Sequence, residues 1–123
     1  METERRQFPR FSVAENAFAA LRPNFNKLGT IKDISRGGLA FEYIALEAHG
    51  GDQSAIDIFL TGNGFYLSRI PCKVVYDTPV TKDEGAFQHL IEMRRCGIQF
   101  GEIEQPMADQ LSFFLDHYTK KTL

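Results

Sequence analysis

Between Phe11 and Phe100 the apolar residues recur at every second position in short runs cut by turn-forming residues, and past Pro106 the spacing changes to that of a helix. A period of two sends alternate side chains to opposite faces, so each run can bury one face as a β-strand. Leu39, Phe41 and Tyr43 share one such face, and Ile56, Ile58 and Leu60 another, alternating with Asp57 and Thr61. Phe11, Val13, Phe18, Ala20 and Leu21 alternate imperfectly, which fits one strand or a bent pair, ended by Pro23-Asn24. Two further strands, over 28–34 and 37–44, flank the turn Asp33-Ile34-Ser35-Arg36-Gly37-Gly38. Thr61-Gly62-Asn63-Gly64 tolerates positive φ and predicts a hairpin turn. Tyr66, Ile70, Cys72, Val74 and Tyr76 fall on one face, with Pro71 marking an edge or a bulge. Phe87, His89, Ile91 and Met93 are odd-numbered whereas Cys96, Ile98 and Phe100 are even, so a β-bulge is expected at Arg94-Arg95. Met107, Leu111, Phe114, Leu115 and Tyr118 then form one helical stripe behind a proline suited to a first turn.

About six short strands and one closing helix predict an all-β fold with a terminal helix: a small six-stranded antiparallel β-barrel carrying a C-terminal α-helix. With 123 residues the chain has the length of one domain, able to bury roughly two-thirds of its unfolded surface. The division expected is a flexible arm over 1–10, a barrel over 11–104 and a helix over 105–120. The longest apolar run, Ala17 to Leu21, is far short of the ~20 residues of a membrane span. The polar opening Met1-Glu2-Thr3-Glu4 is unlike a signal peptide, so a cytoplasmic protein without membrane insertion is expected. Cys72 and Cys96 sit in apolar runs and read as buried, reduced thiols. A net charge of −2 argues against a broad electrostatic grip on nucleic acid. Anion binding, if present, has to be local.

Catalytic and metal signatures are weak. His49, His89 and His117 fall in a turn, a strand and the end of the helix, and none joins a nucleophile and an orienting acid. No Cys-x-x-Cys or His-Glu-x-x-His spacing suggests zinc. Neither an enzyme nor a metal site is expected.

Two constellations remain. Arg5, Arg6 and Arg10 crowd the first ten residues of an otherwise acidic chain, and Asp33-x-Ser35-x-x-Gly38 occupies the turn between two strands. Guanidinium groups present planar forks to phosphate oxygens and stack on purine faces. A carboxylate such as Asp33 accepts from the N1–H and 2-amino groups that distinguish guanine, and Ser35 adds a compact donor and acceptor. Gly38, after Gly37, permits close backbone approach or positive φ. Taken alone, the turn is as readily a plain turn and the arginines plain solvated charge. Together they describe a site for a guanine nucleotide.

On these residues the chain resembles the PilZ domain, the bacterial receptor for cyclic di-GMP. Arg6 and Arg10 match the family's Arg-x-x-x-Arg, and Asp33, Ser35 and Gly38 match its Asp/Asn-x-Ser-x-x-Gly; "IKDISRGGLAF", "RIPCKVVY" and "CGIQF" extend the likeness almost to the end. The resemblance implies a six-stranded barrel whose N-terminal arm wraps over cyclic di-GMP, with Arg36 and Gly37 as additional candidate contacts and no cofactor. It also implies an adaptor that responds to ligand by ordering its arm and signals to an effector protein, in motility or biofilm regulation. An arginine at position 5, just before the Arg-x-x-x-Arg, implies two mutually intercalated ligand molecules instead of one. Two alternatives stand beside this: a PilZ-like interaction scaffold that binds no nucleotide, and a barrel that stacks single-stranded nucleic acid.

Overall fold

A computed structural model describes residues 9–13, 15–22, 27–45, 54–62, 64–80 and 92–121. Its elements run β1 (Phe11–Val13), β2 (Ala17–Arg22), β3 (Leu28–Ile34), β4 (Gly38–Ala45), β5 (Ala55–Leu60), β6 (Tyr66–Pro79), β7 (Glu92–Phe100), α1 (Gln105–Tyr118) and β8 (Thr119–Lys121). The order β2-β5-β6-β7-β4-β3, with β3 pairing back onto β2, closes a six-stranded barrel in which every described pairing is antiparallel. Closure leaves these six strands without an open edge. The imperfect alternation at the start is a bent pair: β1 leaves the barrel and β2 enters it.

The inward faces of β4 and β5 are the ones the two-residue period marks, whereas on β2 the expected Phe18 and Ala20 face away from the core, Phe18 stacking on Phe59. Ala17, Ala19 and Leu21 on β2, Leu39, Phe41 and Tyr43 on β4, and Ile56, Ile58 and Leu60 on β5 meet in one core. α1 adds Leu111, Phe114 and Leu115 to that core, with Met107 and Tyr118 half-buried on the same stripe. Burying side chains of this size contributes about 1.5–3 kcal/mol each. Pro106 sits in the first turn of α1, and His117 Nδ1 in the last turn donates to the Phe113 carbonyl at 3.0 Å. Gly62 and Gly64 adopt φ of 97° and 83°, which makes the hairpin between β5 and β6.

Two expectations about phase are corrected. β7 pairs with β4 without a break from Glu92 to Gln99, so there is no bulge at Arg94-Arg95. The inward row is Arg94, Cys96, Ile98 and Phe100. Arg94 looks out of phase because the barrel ends there in a polar plug: its Nε donates to Asp77 Oδ1 at 2.8 Å, beside Lys27 Nζ on Asp77 Oδ2 at 2.8 Å and the Tyr43 hydroxyl on both oxygens. Two irregularities lie in β6 instead, opposite Ile56/Ile58 and between Val74 and Tyr76, and a third in β3 between Ile31 and Asp33. Those in β6 split the face expected for that strand, so that Leu67 and Ile70 are buried while Tyr66 and Tyr76 point outward. Arg69, inside the first bulge, has φ 61° and donates its backbone N–H to Asp57 Oδ1 at 2.8 Å.

Asp57 is fully buried although it faces away from the core. Arg22 covers it with a two-nitrogen fork at 2.9 and 3.0 Å, and the Tyr66 hydroxyl donates at 2.6 Å. Burial pushes the Asp57 carboxyl up, but these donors outweigh it and hold the group below its ordinary range. Cys72 and Cys96 are unbonded thiols, raised by burial to about 11 and about 12. Among the described residues no helix is long and apolar enough to cross a membrane. His49, His89 and the strand expected from Phe87 to Ile91 lie outside the described residues.

Candidate functional site

The turn between β3 and β4 is built from its own side chain and from β7. Ser35 N–H donates to the Gly38 carbonyl at 2.8 Å and Gly37 N–H to Ser35 Oγ at 3.0 Å, a turn that Ser favours because its hydroxyl stands in for backbone. Phe100 N–H donates to the Gly37 carbonyl at 2.8 Å, tying the turn to β7. Gly38 does not have positive φ; its need for hydrogen in place of a side chain comes from β7, where a Cβ would stand 2.1 Å from the Ile98 carbonyl oxygen. Ser35 and Gly38 thus shape the turn. Arg36 is exposed and donates to Ser112 Oγ on α1 at 2.6 Å.

Asp33 is the residue of the motif whose side chain faces outward. A register shift between Ile31 and Asp33 places it opposite Ala40, between the buried Ile31 and Ile34. β1 runs beside this point, with Phe11 opposite Ile34 and, on its other side, opposite Lys121 of β8. Arg10, the residue before β1, is therefore delivered to Asp33, and its Nη2 forms an ion pair with Asp33 Oδ1. The two motifs, 23 residues apart in sequence, meet here. Arg5 and Arg6 lie outside the described residues, as does most of the expected 1–10 arm; Arg10 at its root is held by β1 and Asp33.

Two outward residues were missed by the sequence reading. Arg95, opposite Glu42 in register, places Nη2 3.4 Å from Asp33 Oδ2 and Nη1 3.4 Å from Glu42 Oε2. Tyr76 is level with Gly97, which is level with Ala40, so Asp33, Ala40, Gly97 and Tyr76 form one row across four strands. The Tyr76 ring lies against Gly97, where a Cβ would come within 2.2 Å of it. Pairing of residues so far apart in sequence is what hid both. Chemically the surface offers guanidinium groups, a carboxylate and an aromatic ring beside small residues, the groups that bind anions and planar bases. Among the described residues no group of three or more His, Cys, Asp or Glu is placed to hold a metal ion.

The family model of the PilZ domain matches residues 4–117. This chain belongs to the PilZ domain family. No significant match to a curated protein sequence is found. Among solved structures, this PilZ domain resembles MrkH of K. pneumonia in its complex with c-di-GMP at 21% identity and a TM-score of 0.68, over 92% of this chain and 52% of that one. YcgR from Escherichia coli in complex with c-di-GMP matches at 16% identity and a TM-score of 0.62, over 92% of this chain and 45% of that one. The PilZ domain of YcgR with c-di-GMP matches at 14% identity and a TM-score of 0.68, over 94% and 92% of the two chains. The chain thus spans about half the length of MrkH and of YcgR. At these identities the likeness establishes a shared PilZ fold.

Proposed function

We propose that this PilZ domain is a receptor for cyclic di-GMP that acts as an adaptor without catalytic chemistry. The observation that carries the reading is the Arg10–Asp33 ion pair, which brings the end of Arg-x-x-x-Arg to the start of Asp-x-Ser-x-x-Gly on the outside of the barrel. Arg6 and Arg10 fork onto phosphate oxygens and stack on guanine, and Asp33 accepts from the guanine N1–H and 2-amino group. Ser35, Gly37 and Gly38 set the turn that presents Asp33, and Arg36 adds a cation at its edge. The fold neighbours described as complexes with c-di-GMP support the same ligand.

The arm over 1–10 closes on the ligand, against a cost of roughly 1–2 kcal/mol for each backbone residue it orders, and the changed surface is read by an effector protein. Arg5 favours two intercalated ligand molecules, whose four phosphates and stacked guanines give a third guanidinium something to hold. Calorimetric titration of cyclic di-GMP, with GMP and cyclic di-AMP as controls, tests both points. Saturation at two nucleotides per chain is expected, falling toward one in Arg5→Leu. Saturation of the wild type at one would defeat the two-ligand model, and binding of cyclic di-AMP as tightly as cyclic di-GMP would reject guanine readout by Asp33.

A further inference from the structure

Resting on the cyclic di-GMP reading, we propose that Arg95 is a positioning residue of the site, holding the Asp33 carboxylate in place when Arg10 turns to phosphate. The geometry creates the need. Arg10 pairs with Asp33 Oδ1, yet the two are assigned to different parts of the nucleotide, the cation to phosphate and the carboxylate to the guanine edge. As Arg10 follows a phosphate, Asp33 gives up that contact. Its side chain is 21% exposed, and a base edge with two parallel donors requires both carboxylate oxygens held in one plane.

Arg95 supplies the hold from two strands away. Its Nη2 reaches Oδ2, the other oxygen from the one Arg10 Nη2 holds, at 3.4 Å, and its Nη1 reaches Glu42 Oε2 at 3.4 Å. Glu42 is directly opposite Arg95 in the β4–β7 register, so the guanidinium is braced from beneath by a strand that does not move with the arm. Both contacts are at the long end of the hydrogen-bond range, as for a cation shared between two carboxylates, and the one to Asp33 can tighten when Arg10 leaves. A carboxylate oxygen accepts more than one donor, so Oδ2 can keep Arg95 and still accept from guanine. Arg95 acts through Asp33 and does not itself meet the nucleotide.

The test is a double-substitution cycle read by calorimetric titration of cyclic di-GMP into wild type, Arg95→Ala, Asp33→Asn and the double variant. Arg95→Ala is expected to weaken binding about tenfold, the scale of one charge-assisted hydrogen bond at a partly exposed pair. In the Asp33→Asn background, whose neutral amide no longer draws on the guanidinium, the same substitution is expected to cost less than about twofold. Should Arg95→Ala fail to melt cooperatively, Arg95→Gln replaces it in the cycle and keeps the side-chain stem. Unchanged affinity on removing Arg95 would overturn the proposal. So would an equal loss in both backgrounds, the signature of direct ligand contact or of a general loosening of the sheet. A wild type that binds no cyclic di-GMP would instead overturn the receptor reading, and this inference with it.

Discussion

Arg10 has two uses that compete for one guanidinium: it neutralises Asp33 in the structure, and the proposed site requires it at a phosphate. The first use contributes little to folding, because both side chains are partly exposed, at 27% and 21%, and pairs of this kind are worth about 1 kcal/mol or less. Arg10→Ala and Arg6→Ala should therefore leave the melting temperature nearly unchanged while weakening cyclic di-GMP binding by about 2 kcal/mol or more each. Titration beside thermal melts checks this; a variant that binds like wild type removes that arginine from the clamp. At this scale the sequence was informative about residue type and less so about role. Arg10, Asp33, Ser35 and Gly38 all stand out in the sequence as ligand groups, and the part that the hydroxyl and the glycine also play in building the turn does not show there. A glycine needed for closeness to a neighbouring strand looks the same in sequence as one needed for closeness to a ligand.

Among the elements, α1 and the inward faces of β4 and β5 were legible because side-chain period is a local property; that of β2 was not, since an unbroken apolar run from Ala17 to Leu21 marks no single face. The bulges of β6 were not, since a bulge is a relation between two strands and leaves only a change of phase in one of them. Arg94 shows the opposite error: an inward arginine at the plugged end of the barrel mimicked a phase change that does not exist. The Asp57 cluster beneath the first bulge predicts a pH effect. Its carboxyl is held below the ordinary range in the folded protein, so its contribution to stability is complete above the unfolded value of about 3.9 and is lost as pH falls through the lower folded value. Melting temperature should fall on acidification below about pH 4, with Asp77, also held low, adding to the slope. Asp57→Asn should melt lower at pH 7 and show a shallower fall in acid. An unchanged slope would show that the cluster carries no such linkage.

For the whole molecule, the six-stranded barrel and its helix followed from the succession of periods, whereas β8 did not, because three residues after a helix carry no strand pattern of their own. Their pairing is nevertheless what steadies the root of the arm: β1 meets β3 at a single described position but meets β8 at three, Phe11, Ser12 and Val13 opposite Lys121, Lys120 and Thr119. A variant ending at Tyr118 should keep the cooperative melting of the barrel and lose about tenfold or more in cyclic di-GMP affinity, since β1 no longer fixes Arg10. Amide exchange over 9–13 should quicken in the same variant. Full affinity with unchanged exchange would mean that β3 alone suffices.

The ladder between β1 and β8 joins residues 108 positions apart, as in the contact from Ser12 Oγ to the Lys120 carbonyl. Its meaning is one of timing. A ribosome makes β1 before the six barrel strands and β8 after all of them, so β1 waits for the strand that seats it until the rest of the barrel has been made. The barrel can close before β8 emerges, but the seat for Arg10 is completed only when residues 119–121 arrive, so that competence to bind comes after folding of the body and not with it.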